Sequence, residues 1–432
     1  LKRKNDTLQR LWLLLTAVIC LAGCGNTARE LGQEETLEAE EKRDSIRRLE
    51  ESRENTALEK KERQSHILID EGGYRPGDGK TAYFFGEDLS PSFWVVDSAD
   101  RTRVWEGRLE KLSESASGET VWKGDFTPFE QEGEYFLQTQ VIGQSPVFRI
   151  SEEALDARRD EVLRELEERL PSFALETDEV HFCRNAQTLM DLAECCQLYE
   201  AGDEDSKKRL KKAADLLLRA GETLVASEQT GALALSDDCV AMALAADLLA
   251  GEEEAQDYKQ QALAAYDRLQ GQTDEESKDS LLAAQAALYR LTGDRRYAAG
   301  VEESLTGFKT YTKENYRAAF CYLTTRKNVN IEICNKLMKA LTKECGRITD
   351  ASRKKTVSAG IEGQKQTEQE DMSEQLFEGR LLRLGDYVLV SREYKQCTAE
   401  IIHRLGMAGF FNSDRTNEEL AAAYLLMAEE EK

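Results

Sequence analysis

The feature that most constrains this chain is a change of hydrophobic period near residue 150. Before it, apolar residues come in short runs rich in aromatic and β-branched types: HILI, TAYFF, SFWVVDS, TRVWEGRL, TVWKGDF, EYFLQTQV and PVFRI. Turn clusters such as RPGDGK (75–80) and SESASGE (113–119) separate them. Short runs with turn chemistry between them predict seven strands in a β-sandwich. From about residue 153 onward, apolar residues recur at helical spacing instead. The two periods occupy separate stretches, so the fold class expected is β followed by all-α: a sandwich over 65–150 and helical hairpins over 151–432. A length of 432 residues suits more than one core.

The helical part has its own repeat. LYEAGDEDSKKRLKKAADLLL, LLAGEEEAQDYKQQALAAYDRL, LYRLTGDRRYAAGVEESLTGF and LRLGDYVLVSREYKQCTAEIIHRLG each join an apolar helix end to a Gly-acid turn and a new helix. Glycine suits a helix stop, and an acid suits the next helix start. The turn glycines Gly202, Gly251, Gly293 and Gly385 stand 49, 42 and 92 residues apart. Spacings of this kind mean stacked helical hairpins. About six of them fit, enough to close an (α/α)6-type toroid; an open helical array is the alternative.

The first residues read as an export signal. Lys2, Arg3, Lys4 and Arg10 precede LWLLLTAVICLAG, and the run ends LAGC at Leu21–Cys24. This resembles a bacterial lipoprotein signal (1–23), which implies lipidation of Cys24 and attachment to the outer face of the cell membrane. Residues 24–64 are polar with opposite charges at helical spacing, the pattern of a charged stalk. A formal net charge of −24 argues against a nucleic-acid partner, which a basic patch would have to attract. Eight cysteines follow residue 180: Cys183, Cys195, Cys196, Cys239, Cys321, Cys334, Cys345 and Cys397. No CxxC or Cys/His zinc spacing occurs, and most lie in apolar helical runs, so buried free thiols are expected and no metal or cofactor is read.

The stretches ILIDEGGYRPGDGKTAYF, FWVVDSADRTRVWEGRL, SGETVWKGDFTPFEQEGEYFL and SPVFRI occur in that order. Together they are similar to the immunoglobulin-like domain that precedes the barrel of family 9 glycoside hydrolases, the cellulase type. That resemblance implies an α/α barrel downstream, polysaccharide or oligosaccharide as ligand, and inverting hydrolysis by two carboxyls. One carboxyl protonates the leaving oxygen while the other activates water across a gap of roughly 6.5–9.5 Å. The family's Asp-Ala-Gly-Asp base motif is missing. Its place falls near ALETDEVHFCRN, where Asp178, Glu179 and His181 stand without a Gly-rich turn, ahead of a helix expected to start near Arg184. The family's acid, a Glu after Asn, has a counterpart in Glu418 of Thr416-Asn417-Glu418. Thr416 and Glu419 also form a T-x-x-E capping pattern.

Other candidates have plain readings. SDDC (236–239) reads as a helix cap with two acids, Asp237 and Asp238. His403 reads as a helix-end residue. Trp94, Trp105 and Trp122 read as sandwich core and edge, and the helical part has no Trp to stack on a sugar. Tyr199, Tyr289, Tyr297, Tyr311, Tyr316 and Tyr387 could substitute, though several sit where packing is expected. The expected barrel is short for the family, as though cleft-building loops had been lost. The reading is a lipid-anchored glycan-binding relative that has lost catalysis. Its alternatives are a working glycosidase with Glu418 as acid and Asp178, Glu179, Asp237 or Asp238 as base, or a scaffold for a protein partner.

Overall fold

A computed structural model describes residues 66–428 apart from 88, 115–119, 175–177, 200–202, 273–276, 353–364 and 414. The readings for the signal, Cys24, the stalk, the Gly202 turn and most of SESASGE lie outside the described residues. No helix among the described residues is long and apolar enough to cross a membrane.

All seven runs form strands: β1 (Ile67–Leu68), β2 (Thr81–Phe85), β3 (Ser92–Asp97), β4 (Arg103–Glu114), β5 (Thr120–Asp125), β6 (Gly133–Gln138) and β7 (Phe148–Ile150). The order is β1-β2-β5-β4-β3-β6-β7, and all pairings are antiparallel. The long β4 serves both layers. Arg103–Arg108 pair with β3, and Leu109–Glu114 pair with β5. A register shift at Val95/Val96 breaks the in-out alternation of β3, and both valines are buried. Between the layers lie Phe84, Phe93, Phe126, Tyr135, Phe148 and Ile150. Trp105 and Trp122 flank this core, and Arg103 lies 3.8 Å over the Trp94 ring, so the tryptophans are packing residues.

Twelve helices follow: α1 (Asp156–Arg169), α2 (Glu179–Leu198), α3 (Glu204–Ala226), α4 (Ala232–Leu248), α5 (Ala255–Leu269), α6 (Ser277–Thr292), α7 (Arg295–Leu305), α8 (Lys313–Leu323), α9 (Ile331–Ser352), α10 (Lys365–Leu389), α11 (Arg392–Met407) and α12 (Asn417–Met427). The even-numbered helices form an inner ring. There α2 packs on α12 and α4, α4 on α6, α6 on α8, and α10 on α12. Side chains close the α8–α10 seam: the Tyr316 and Phe377 rings meet edge-on at 5.9 Å, and Lys313 Nζ donates to Ser373 Oγ at 3.0 Å. Helices α4 and α12 have buried residues on nearly every side, as inner helices must. The outer helices α3, α7 and α9 turn charged faces outward. The toroid therefore closes. Because inner and outer helices alternate in direction, the inner N-termini gather at one end.

Three local readings need correction. Helix α2 starts at Glu179, five residues earlier than Arg184, because Asp178 caps it. SDDC is not a cap: α4 starts at Ala232 after Gly231, and Ser236 lies buried inside the helix, donating to Ser280 O at 2.8 Å. Gly385 is not a turn either. It lies within α10, where an added Cβ would come 2.7 Å from Cys345 Sγ, so it permits close packing of α9. The turn comes at Val390, a β-branched residue held at φ 52°. Gly293, at φ 73°, does end α6. All eight cysteines are free, six of them buried.

Candidate active site

The carboxyls named from sequence all belong to the N-terminal end of the inner ring, but most already have structural work. Asp178 accepts from His181 N at 3.1 Å and faces His181 Nδ1 at 2.6 Å. It is exposed, and these hydrogen bonds, the backbone one first, hold its carboxyl below the usual range. Glu179 accepts from Gly231 N at 3.2 and 3.3 Å, tying α2 to the start of α4. Asp238 turns away toward α5: Gln261 Nε2 donates to one oxygen at 2.5 Å, and the other oxygen is buried without a partner. Burial pushes Asp238 up to about 7.

Glu418 and Asp237 are different. The Thr416–Glu419 box is formed, with Glu419 N donating to Thr416 Oγ1 at 3.2 Å and Thr416 N to Glu419 Oε2 at 2.8 Å. Glu418 takes no part in it. Among the described residues its carboxylate accepts no hydrogen bond and forms no ion pair. The residue has a solvent-open face, yet loss of hydration leads the rise in its pKa, followed by the nearby Asp191 charge. Asn417 Nδ2 reaches Asn185 Oδ1 at 3.3 Å and so fixes α12 against α2. Asp237 is buried beside Gln187 Nε2 at 3.1 Å and the Cys183 thiol. Burial raises it to about 7, and the Glu418 charge adds to that rise. Of the other acids named from sequence, Glu418 is the one whose charge reaches Asp237, as the smallest of the influences on it, while Asp178 is engaged with His181.

Along the axis lies a charge cluster that the sequence reading missed. Asp191 and Glu194 of α2 are fully buried. Arg317 Nη1 reaches Glu194 Oε2 at 2.6 Å, and its other nitrogen pairs with Asp191. Arg380 Nη2 meets Asp191 Oδ2 at 2.6 Å, and Tyr316 donates to Glu194. Burial raises Glu194, with the two arginines opposing that rise. Further along, Arg290 binds Asp247 at 2.9 Å and Gln197 at 2.6 Å. The available signal was an acid pair at i, i+3 inside the otherwise apolar LMDLAECC.

At the joint between the two folds, His403 is not a helix-end residue. It is 1% exposed. Its Nδ1 meets Asp70 Oδ2 at 2.8 Å and its Nε2 meets Asp78 Oδ2 at 3.2 Å. The Tyr74 ring lies 4.3 Å from the imidazole. Arg158 of α1 grips Asp70 with two bonds of 2.8 and 2.6 Å, and Arg75 pairs with Asp78 at 3.2 Å. Burial opposes charge on His403, but hydrogen bonds to both aspartates prevail and raise its pKa. Asp70 and Asp78 are lowered against their own burial by the same partners. Two glycines let the surfaces close: a Cβ on Gly79 would come 2.7 Å from Glu400, and one on Gly406 would come 2.5 Å from Asp70. A cavity of about 610 Å³ opens beside this joint, at the end of the toroid opposite Glu418.

Among the described residues no cluster of His, Cys, Asp and Glu could hold a metal ion. A family model described as the cellulase N-terminal ig-like domain matches residues 62–144. Comparison with curated proteins gave no match. Among solved structures, a metagenome-derived glycoside hydrolase family 9 endoglucanase aligns at TM-score 0.62 and 16% identity, over 84% of this chain and 98% of that one. A Bacteroides ovatus GH9 structure aligns at 0.63 and 15%, over 79% and 84%. A thermostable endoglucanase from Alicyclobacillus acidocaldarius aligns at 0.60 and 15%, over 80% and 82%. The chain therefore joins a cellulase-type N-terminal immunoglobulin-like domain to a helical toroid with the fold of the family 9 glycoside hydrolases.

Proposed function

We propose that this chain is a lipoprotein, anchored through Cys24 outside the cell membrane, whose toroid binds polysaccharide or oligosaccharide without hydrolysing it. One observation carries the reading. Where the family's base loop is expected, Asp178 is a helix cap, already bonded to a backbone N–H and to His181. Inverting hydrolysis needs a base free to take a proton from water on the far side of the bond. Glu179 and Asp238 are likewise occupied by Gly231 and Gln261. A relative solved with a cellobiose-like isofagomine supports carbohydrate as the ligand class. Incubation with soluble β-glucan and cello-oligosaccharides is expected to show binding but no new reducing ends.

A second reading has its own support. Glu418 and Asp237 are both raised, chiefly by burial, and Asp237 also feels the Glu418 charge. It makes Glu418 the general acid and Asp237, rather than Asp178, the base. Turnover that both Glu418→Gln and Asp237→Asn abolish would establish it and remove the non-hydrolytic reading.

A further inference from the structure

The cavity beside the joint is a candidate for a second site. It lies between the sandwich turn at Arg75–Asp78 and the α10–α11 connection, and its size falls within the ~300–1,000 Å³ of pockets that hold a small molecule. Its charge balance is inverted relative to the chain. The whole sequence has 58 basic and 82 acidic residues, whereas the lining carries four basic side chains and three acidic ones. Two of those acids are already engaged, Asp78 by His403 and Arg75 and Asp386 by Ser391 N at 2.9 Å, and so are two of the bases, Arg75 by Asp78 and Arg383 by Leu426 O at 3.0 Å, which leaves Arg392 and Lys395 facing Glu152. Among the described residues Arg392 has no partner, and Lys395 has only Asp386 at 3.7 Å. These two cations sit three positions apart on α11 and share a face. The Gln396 amide and the Tyr387 hydroxyl are likewise unpaired, and Tyr387 is 41% exposed where its fellow tyrosines are mostly packed. The exposed Val390, in a strained left-handed conformation, completes the rim.

We propose that this cavity binds a short acidic saccharide, a hydroxylated ring bearing a carboxylate. Arg392 and Lys395 take the carboxylate, the Tyr387 ring packs on the sugar face, and Gln396 bonds to hydroxyls. The ligand class rests on the carbohydrate-binding reading, while the site stands on its own lining. The sandwich contributes Arg75, Gly77 and Asp78, so the site needs both folds.

The test is calorimetric titration of the full chain with di- and trisaccharides of glucuronic and galacturonic acid, and with cellotriose as the neutral counterpart. Acidic saccharides are expected to bind at least tenfold more tightly than cellotriose at this site. Arg392→Ala and Tyr387→Ala should each weaken that binding about tenfold or more, Glu418→Gln should leave it unchanged, and added salt should reduce it. Both replaced side chains are solvent-accessible, and thermal melts confirm that the variants fold. Acidic saccharides that fail to bind, or bind regardless of both variants, overturn the proposal. Cellotriose binding sensitive only to Glu418→Gln would leave the general reading standing and sink this site. Binding of no saccharide of either kind would sink both.

Discussion

The joint with the sandwich and the mouth of the toroid use ionisable groups in opposite ways. At the joint with the sandwich, every charge in the set has an opposite: Asp70 has Arg158 and His403, and Asp78 has Arg75 and His403. At the mouth, Glu418 has no ion pair, and Asp237 has only an amide and a thiol. A buried, fully paired set fixes geometry, and losing one partner strands the others. An unpaired, half-solvated carboxyl fixes little and stays available for a ligand. The comparison teaches that extensive pairing here marks assembly, and that sparse pairing marks the place to look for binding.

The hardest blow to this comparison would come from His403. Replacing it with alanine takes a buried partner from both Asp70 and Asp78, which keep Arg158 and Arg75, and a loss of roughly 1.5–3 kcal/mol is expected. Urea denaturation reads this directly; a loss below about 1 kcal/mol would mean the joint is ordinary surface. Glu418→Gln should not show a comparable loss.

The second expectation concerns pH. His403 is raised above its ordinary 6.5, so its contribution is complete below that value and fades as pH rises through the folded pKa. Asp70 and Asp78 are lowered below 3.8, so theirs is complete above that value and fades as pH falls through their folded values. The groups facing His403 are these two aspartates and Tyr74, with Arg158 and Arg75 behind the carboxylates. The joint should be firmest between about pH 4 and about pH 6.5. Denaturation midpoints should decline on the alkaline side in the wild type, and His403→Ala should flatten that limb.

The smallest effect sharpens the other end. Asparagine caps a helix about as well as aspartate, so Asp178→Asn should shift Tm by no more than about 2 °C and leave saccharide binding intact. A large change in either would give Asp178 a role beyond starting α2.

What the sequence made legible follows from the range of each signal. Strands β1 to β7 announce themselves because alternation and turns are local properties. The closed ring was foreseeable from turn spacing, yet Gly385 was misread, because a glycine for close packing looks like a glycine for turning until its neighbour is known. Ser236 misled in the same way: a Ser-Asp-Asp string resembles a cap unless Gly231 and Glu179 are already placed. The His403–Asp70 contact spans 333 positions. No local window shows it, although the two aspartates flanking Gly-Gly-Tyr were in plain view. The placing of Glu418 and Asp237 has the same difficulty, since their helices α12 and α4 are related only through α2, on which both pack.

Strand β2 has one further consequence. Ala82 and Phe84 face the sandwich interior, while Tyr83 on the opposite side packs with Val121 against Met407 of α11. The layer that holds β2 and β5 is thus not a finished exterior. Expressed by itself, the excised module would show an oily patch beside an Asp70 stripped of Arg158 and His403, and it would tend to self-associate. It behaves less like a detachable cassette than like one half of a broken surface, so truncations meant to isolate either half should expect insoluble material.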